Sequence, residues 1–418
     1  MNATASVFGA AMDTGNLGVS ALGASCILGL HRQGWQVMLF DNGRGTESQV
    51  IRSGVGDVPY QRQGAWYSRR LYRPESLHLM RAMSAGRVGF LNPGLQALRR
   101  SRAVFDISGG DSFTDLYGDK RYETVAMPKR IALSEHRPLV LLPQTFGPFR
   151  LPEHQRDARA LISGARQAWA RDSDSYLRLR ELLGGDFDPD RHRQGVDVAF
   201  SLPSVQPVIP GEFADWLGTD EPIAAVNVSG LLFGSADNQR RFGLRADYSA
   251  AILKLIKWLL DEEGVRVLLI PHVIGDSPES DQVACTAVRG ALPSCDRLRQ
   301  APRGLNALET KWLISKSSWI TAARMHATIA ALSTYVPVSA TAYSDKVAGV
   351  FRDCGVGDEI SDARALSTDE LLESWQSAWT RREQVAERLA AGVARTVASS
   401  AQQFEEMITA VTGRSLDA

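Results

Sequence analysis

The sequence predicts an α/β protein built from two doubly wound, Rossmann-like domains, with bracing helices towards its C-terminal end. Three observations predict it. Short apolar runs alternate with Gly-rich or polar punctuation and then with helical periodicity, the pattern of parallel sheets. This pattern fills both halves of a 418-residue chain, a length that suits two domains. Between the halves, residues 202–213 carry three prolines and no clear period, which marks a junction. The expected organisation is therefore a first domain over 1–201, a second over 214–366 and a helical segment over 367–418.

In chain order, residues 6–10 read as a strand and Gly15-Asn16-Leu17-Gly18 as a loop. A helix follows to about Gln33, and 35–40 is the next strand. Further strands are expected over 103–107, ending in Ser108-Gly109-Gly110-Asp111, and over 138–142, ending in Pro143-Gln144-Thr145-Phe146-Gly147-Pro148. A short one over 168–170 ends at Arg171-Asp172-Ser173. The second half repeats the scheme with strands over 223–228, 266–270, 318–321 and 336–340. These end at Ser229-Gly230, Pro271-His272, Arg324-Met325-His326 and Tyr343-Ser344-Asp345-Lys346. From Ser367 the chain reads as helical. Ser367 with Glu370 forms a capping box, and Leu371, Leu372, Trp375, Trp379, Val385, Leu389, Val393 and Val397 keep one apolar face. That face is a structural brace or, alternatively, a partner-binding surface.

Composition narrows the function classes. Lys+Arg and Asp+Glu are both 47, so there is no basic excess of the kind a dedicated nucleic-acid binder carries. Seven of the basic residues are Lys and the rest Arg, the better fork for carboxylate and phosphate. The four cysteines, Cys26, Cys285, Cys295 and Cys354, show no CxxC spacing. They speak against a zinc site or disulfide framework and suit a reducing compartment. The first residues lack a secretory signal pattern and no apolar stretch is long enough to span a bilayer, so a cytoplasmic protein is expected. The Arg scatter over 67–73 touches anionic lipid or forms a solvated face; peripheral membrane contact stays open.

In open α/β sheets, ligands bind outside the carboxyl ends of the strands, where helix N-termini and loop amides converge. The polar residues above fall at such ends in both halves, so a cleft between two facing domains is the expected site. Arg324 and His326 stand at a strand-to-helix turn. A cation there opposes the helix dipole and suits a bound anion, although pairing of Arg324 with a carboxylate and a core role for His326 explain them equally.

Arg-Met-His-Ala-Thr-Ile-Ala-Ala-Leu at 324–332, followed by Val336-Pro337-Val338 and Tyr343-Ser344-x-Lys346, resembles the signature of the polysaccharide pyruvyl transferase family. The likeness extends to Gly-Asn-x-Gly at 15–18, Ser-Gly-Gly-Asp at 108–111, Gln-Thr-Phe-Gly-Pro at 144–148, Arg-Asp-Ser at 171–173 and Asp-Val-Ala-Phe at 197–200. It implies a glycosyltransferase-B-like fold and transfer of the enolpyruvyl group of phosphoenolpyruvate onto a sugar or glycan precursor. The product would be a pyruvate ketal in cell-surface or exopolysaccharide biosynthesis, with phosphate released. No metal or cofactor is implied, phosphoenolpyruvate being the donor substrate. Carried over by position, the essential basic residues are Arg171, His326 and Lys346, with Arg324 beside the His. In this chain Gly18 is followed by Val19-Ser20-Ala21, where many members carry an acidic residue.

The chemistry fits those residue types. The donor carries a carboxylate and a phosphate, which Arg171, Arg324 and Lys346 would hold, while His326 gives and takes protons near neutral pH. Gly15 and Asn16 are candidates for the acceptor side. Gly109 and Gly110 admit a ligand or make a tight turn, and Asp111 accepts from an acceptor hydroxyl or caps a helix. Gln144 is expected to project into the cleft and Asp197 to anchor the end of the first domain. His272 lines the donor side or is a solvated loop histidine, and Asn227 and Ser229 are candidate polar liners. The alternative function is a nucleotide-sugar-dependent glycosyltransferase of the same fold, against which the helix after Arg324 offers no carboxylate for a ribose. A non-catalytic scaffold and a Rossmann oxidoreductase are weaker; no G-x-G-x-x-G follows the first strand. The sequence does not select an acceptor or an oligomeric state.

Overall fold

The structure is a computed structural model describing residues 3–86, 88–234 and 236–413, and the chain forms two compact units. Within those residues the first unit comprises 3–14, 22–202 and 398–413, and the second 15–21 and 203–397. Each contains one sheet.

The first sheet is built from β1 (Thr4–Phe8), β2 (Gln36–Asp41), β3 (Thr46–Arg52), β4 (Asp57–Gly64), β5 (Ala103–Asp106), β6 (Leu139–Gln144), β7 (Gln167–Ala170) and β8 (His192–Gln194). Its order is β3-β4-β2-β1-β5-β6-β7-β8. All pairings are parallel except β3 with β4, which is antiparallel. β5, β6 and β7 are buried along their whole length, which is why they read as unbroken apolar runs. β3, Thr-Glu-Ser-Gln-Val-Ile-Arg, is an exposed edge strand, and its polar sequence hides it from hydrophobic patterning. Strand order reverses between β1 and β5. There Gly9, at φ +80°, lets the chain pass so close that a Cβ would lie 2.4 Å from the Ser108 nitrogen.

The end of the long helix Arg382–Thr412 completes this first unit. Ser400 donates to the carbonyls of Asp197 and Val198, at 3.0 and 3.2 Å. Gln403 accepts from the Val196 N–H at 3.0 Å and donates to the Val196 carbonyl at 2.9 Å. Phe404 is fully buried against Gly29, where an added Cβ would meet its ring at 2.5 Å.

The second sheet is wholly parallel: β9 (Ile223–Asn227), β10 (Arg266–Leu269), β11 (Leu298–Gln300), β12 (Trp319–Ala322), β13 (Val338–Ala342) and β14 (Ile360–Asp362). The order β11-β10-β9-β12-β13-β14 reverses between β9 and β12, the Rossmann arrangement. Helix Thr368–Thr380 begins with the capping box of Ser367 and Glu370. It buries Leu371, Trp375 and Trp379, and Trp379 meets Trp319 edge-on with centroids 5.9 Å apart. Among the described residues no helix is long and apolar enough to cross a membrane.

Phe404 tests the contribution of the last helix. Phe404→Ala should cost about 3–4 kcal/mol in urea unfolding of the first unit, because the void faces a glycine that cannot fill it.

Candidate active site

The carboxyl ends of β9, β10 and β12 meet around one side chain, Asp281. It is the first residue of helix Asp281–Ala291 and is fully buried. Its Oδ2 accepts from the Asn227 amide at 3.2 Å and from the backbone N–H groups of His272 and Val273 at 3.1 and 3.0 Å. Its Oδ1 accepts from the Gly230 N–H at 2.9 Å and from Arg324, with Nη2 at 2.7 Å and Nε at 3.0 Å. Arg324 also donates from Nη2 to the Glu279 carbonyl at 3.2 Å, and its backbone N–H donates to Asn227 Oδ1 at 3.1 Å. Burial disfavours the guanidinium charge, but Asp281 outweighs it and holds the Arg324 pKa above its ordinary value. Arg324 is therefore already committed to a carboxylate, as the simpler of its two sequence readings has it.

Two residues after Arg324, His326 lies in the first turn of helix Met325–Leu332. Its ring packs on Gly18: a Cβ there would lie 2.6 Å from His326 Nδ1. The loop carrying Gly18 is docked on the end of β10. Leu17 N–H donates to the His272 carbonyl at 3.0 Å and Ile274 N–H to the Gly15 carbonyl at 2.7 Å. Asn16 bridges Val273 and receives the Gly18 N–H at 3.0 Å. Gly15, at φ +72°, has no room for a Cβ, which would fall 2.4 Å from the Ile274 carbonyl oxygen. These residues, expected on the acceptor side of the first domain, cluster with the second unit.

His272 is 4% exposed, so the solvated-loop reading fails. Burial, then the neighbouring His326 and Arg324, push its pKa down to about 3. Ser229 is fully buried, with no hydrogen-bond partner for its hydroxyl, while its N–H donates to Tyr248 Oη at 3.1 Å. Lys346 lies half-buried in the short 3-10 turn Asp345–Val347 after β13.

In the first unit, Arg171 and Asp172 follow β7. The Arg171 side chain is 1% exposed and ion-paired with Asp172 at 3.4 Å and Asp197 at 3.9 Å. Asp172 also caps helix Ser173–Leu183, and Asp197 caps the 3-10 turn Val198–Ser201. Two motifs separated in sequence, Arg-Asp-Ser and Asp-Val-Ala-Phe, thus close on one guanidinium. Gln144 does not project outward: it is fully buried, donating from Nε2 to the carbonyls of Asp106 and Leu142 at 2.9 and 3.0 Å.

Ser108, Gly109 and Gly110 all have positive φ, so the paired glycines serve a turn. Asp111, partly exposed and reached by Tyr117 Oη at 3.5 Å, caps no helix, because the next one starts at Asp119. Beneath this loop the fully buried Lys129 donates at 2.7 Å to Asp106 Oδ1 and to Ser108 Oγ. Burial lowers the Lys129 pKa, with Asp106 opposing. Asp281, Asp106 and Lys129 were missed in sequence. Ser280-Asp281 signals a helix start, but nothing local ties it to Arg324, 43 residues on.

Two predominantly parallel sheets with polar and charged side chains at their carboxyl ends define a protein of the glycosyltransferase-B-like fold class. The chain belongs to the polysaccharide pyruvyl transferase family, whose model matches residues 58–345. That segment contains Arg171, Asp281, Arg324 and His326, and leaves Gly15, Asn16 and Lys346 outside it. Over 308 residues the chain is 23% identical to the amylovoran biosynthesis protein AmsJ of Erwinia amylovora, covering 73% of this chain and 72% of AmsJ. Its fold is similar to that of the UDP-GlcNAc 2-epimerase of Neisseria meningitidis bound to UDP-GlcNAc, with TM-score 0.58, 10% identity and coverage of 98% and 100%. The α,α-trehalose 6-phosphate synthase of Burkholderia multivorans gives TM-score 0.55 at 11% identity, with 99% of each chain covered.

Two outcomes follow from this geometry. Asp281→Asn turns an NH2 towards donors whichever way the amide is placed, so it should cost about 3 kcal/mol in urea denaturation, and Arg324→Ala a similar amount. His272 titrates near 6.5 unfolded but about 3 folded, so the folded state binds fewer protons between those values. Stability should therefore fall as pH drops from about 6.5 towards 3, by up to about 1.4 kcal/mol per pH unit from this group. Comparing urea midpoints at pH 7 and pH 5 for wild type and His272→Asn checks it, the variant showing the shallower fall.

Proposed function

We propose that the protein transfers the pyruvate skeleton of phosphoenolpyruvate onto two hydroxyls of a sugar or glycan precursor, forming a ketal and releasing phosphate. The observation carrying this reading is the seating of His326: an imidazole at a helix start, pressed on Gly18 and beside a guanidinium immobilised by Asp281. Family membership and the likeness to an exopolysaccharide biosynthesis protein support the transferase class and the sugar acceptor.

The atoms balance without a redox partner. One hydroxyl oxygen bonds to C2 of the enol phosphate while its proton, through His326, reaches the methylene carbon. The second hydroxyl then replaces phosphate at C2, its proton leaving with phosphate. His326 serves as the general acid and base, and His272, neutral down to about pH 3, adds no competing charge beside it. Arg324 acts as a positioning residue through Asp281. Lys346 is the candidate cation for the donor anion in the second unit. In the first unit Arg171 is held by Asp172 and Asp197.

The test is phosphate release from phosphoenolpyruvate across a panel of free, nucleotide-linked and lipid-linked sugars, together with thermal shifts. A donor at 100 times its Kd adds about 2.7 kcal/mol of stability. His326→Gln should lower turnover at least about 100-fold with an unchanged melting temperature. Near-normal turnover of that variant refutes the role of His326. Shifts with UDP-sugars alone, and no phosphate release with any acceptor, refute pyruvyl transfer in favour of glycosyl transfer.

A further inference from the structure

Away from these residues, the first unit displays an ordered apolar and basic tip. The loop following Trp66 closes on itself: Trp66 N–H donates to the Glu75 carbonyl at 2.7 Å and Leu77 N–H to the Trp66 carbonyl at 2.8 Å. Within it Arg73 N–H donates to the Arg70 carbonyl at 3.1 Å and Arg70 N–H to Ser68 Oγ at 3.2 Å. The Arg73 guanidinium lies 6.0 Å from the centroids of both Trp66 and Tyr72. Despite this internal order, Leu71 is 55% and Tyr72 75% exposed.

The neighbouring 3-10 turn Gly89–Leu91 leaves Phe90 60% and Leu91 65% exposed. Asn92 joins the two features, donating from Nδ2 to the Pro74 carbonyl at 2.8 Å. Two segments tied together by Asn92 thus expose four large apolar side chains, and exposed apolar patches mark interaction sites.

Charge selects the partner. Arg69 and Arg70 are exposed, with Arg73 half-buried at the rings. Glu75 of the same loop receives the Gly45 N–H at 3.1 Å. On the far side Arg69 and Tyr67 share a hollow with Asp119, Lys120 and Glu123, and Glu123 is bound by Arg130 at 2.7 Å. A second copy of this chain, docked two-fold on the tip, would set guanidiniums against guanidiniums. An anionic surface with an apolar interior satisfies both halves of the patch and needs no complementary shape.

We propose that this tip docks the protein on an anionic lipid bilayer, with Leu71, Tyr72, Phe90 and Leu91 entering the headgroup boundary and Arg69, Arg70 and Arg73 meeting lipid phosphates. The test is co-sedimentation of the full chain with phosphatidylglycerol–phosphatidylcholine vesicles and with phosphatidylcholine alone. Binding is expected to the anionic vesicles and to weaken with salt. Arg69→Gln with Arg70→Gln should lower the partition coefficient roughly thirtyfold, at the usual strength of two juxtamembrane cations. Leu71→Asp with Phe90→Asp should abolish binding at an unchanged melting temperature, since these side chains are exposed. No binding to anionic vesicles, or equal binding by wild type and both double variants, overturns the proposal. So does a wild-type dimer that Leu71→Asp with Phe90→Asp dissociates while vesicles are ignored. The assay reads vesicle binding alone, so its failure leaves the transferase reading standing.

Discussion

A carboxylate taken out of water persists only where donors replace its hydration shell. Asp281 meets that condition with N–H groups from the ends of two strands, an amide from a third position and the Arg324 fork. The consequence runs beyond local stability. β9, β10 and β12 come from three separate stretches of the chain, and their carboxyl ends are locked in mutual register by one side chain. The loop of Gly15–Gly18 then docks on the end of β10, and His326 finds its place against Gly18.

The first unit solves the same problem with other residues. At its own reversal of strand order, Lys129 is buried among Asp106, Ser108 and the Phe113 ring, 4.5 Å from the ring centroid. It binds Ser108, the one non-glycine in a run of three residues at positive φ. Further along, Asp172 and Asp197 each cap a helical turn while sharing Arg171, so two helix starts and one cation form a single unit. In both sheets the polar residues at strand ends are thus largely occupied with one another. A motif residue at such an end is as much an architectural device as a ligand.

That dual use explains what was legible in the sequence. The buried strands announced themselves as apolar runs, because a parallel sheet covered on both faces leaves no alternation to misread. The Ser367 capping box and the helical face with Trp375 and Trp379 were equally plain. The edge pair β3 and β4 was not, being polar, nor were the three-residue strands β8, β11 and β14, which are too short to carry a period. At the site, the residue types of Arg324 and His326 were visible but not their partners. Gln144 sounded like a ligand because polar residues at strand ends often are, and its Nε2 proved to be taken up by the carbonyls of its own sheet. Asp281 could not be found, since its importance lies in contacts with residues up to 54 positions away.

The spacing of Arg324 and His326 acquires a physical meaning from these contacts. Residues two apart at the start of a helix do not share a face. The first can therefore turn back into the sheet, where Asp281 fixes it, while the second meets the Gly18 loop. One intervening residue is what separates the side chain anchored on Asp281 from the one packed on Gly18. A spacing of three or four would set both side chains on one face, so that the cation bound to Asp281 and the imidazole on Gly18 competed for the same space. Arg324 is pinned in both its backbone and its side chain, and so anchors the start of the helix that carries His326. An acid–base group gains most from such anchoring, because a proton moves efficiently only over a short and well-aligned path.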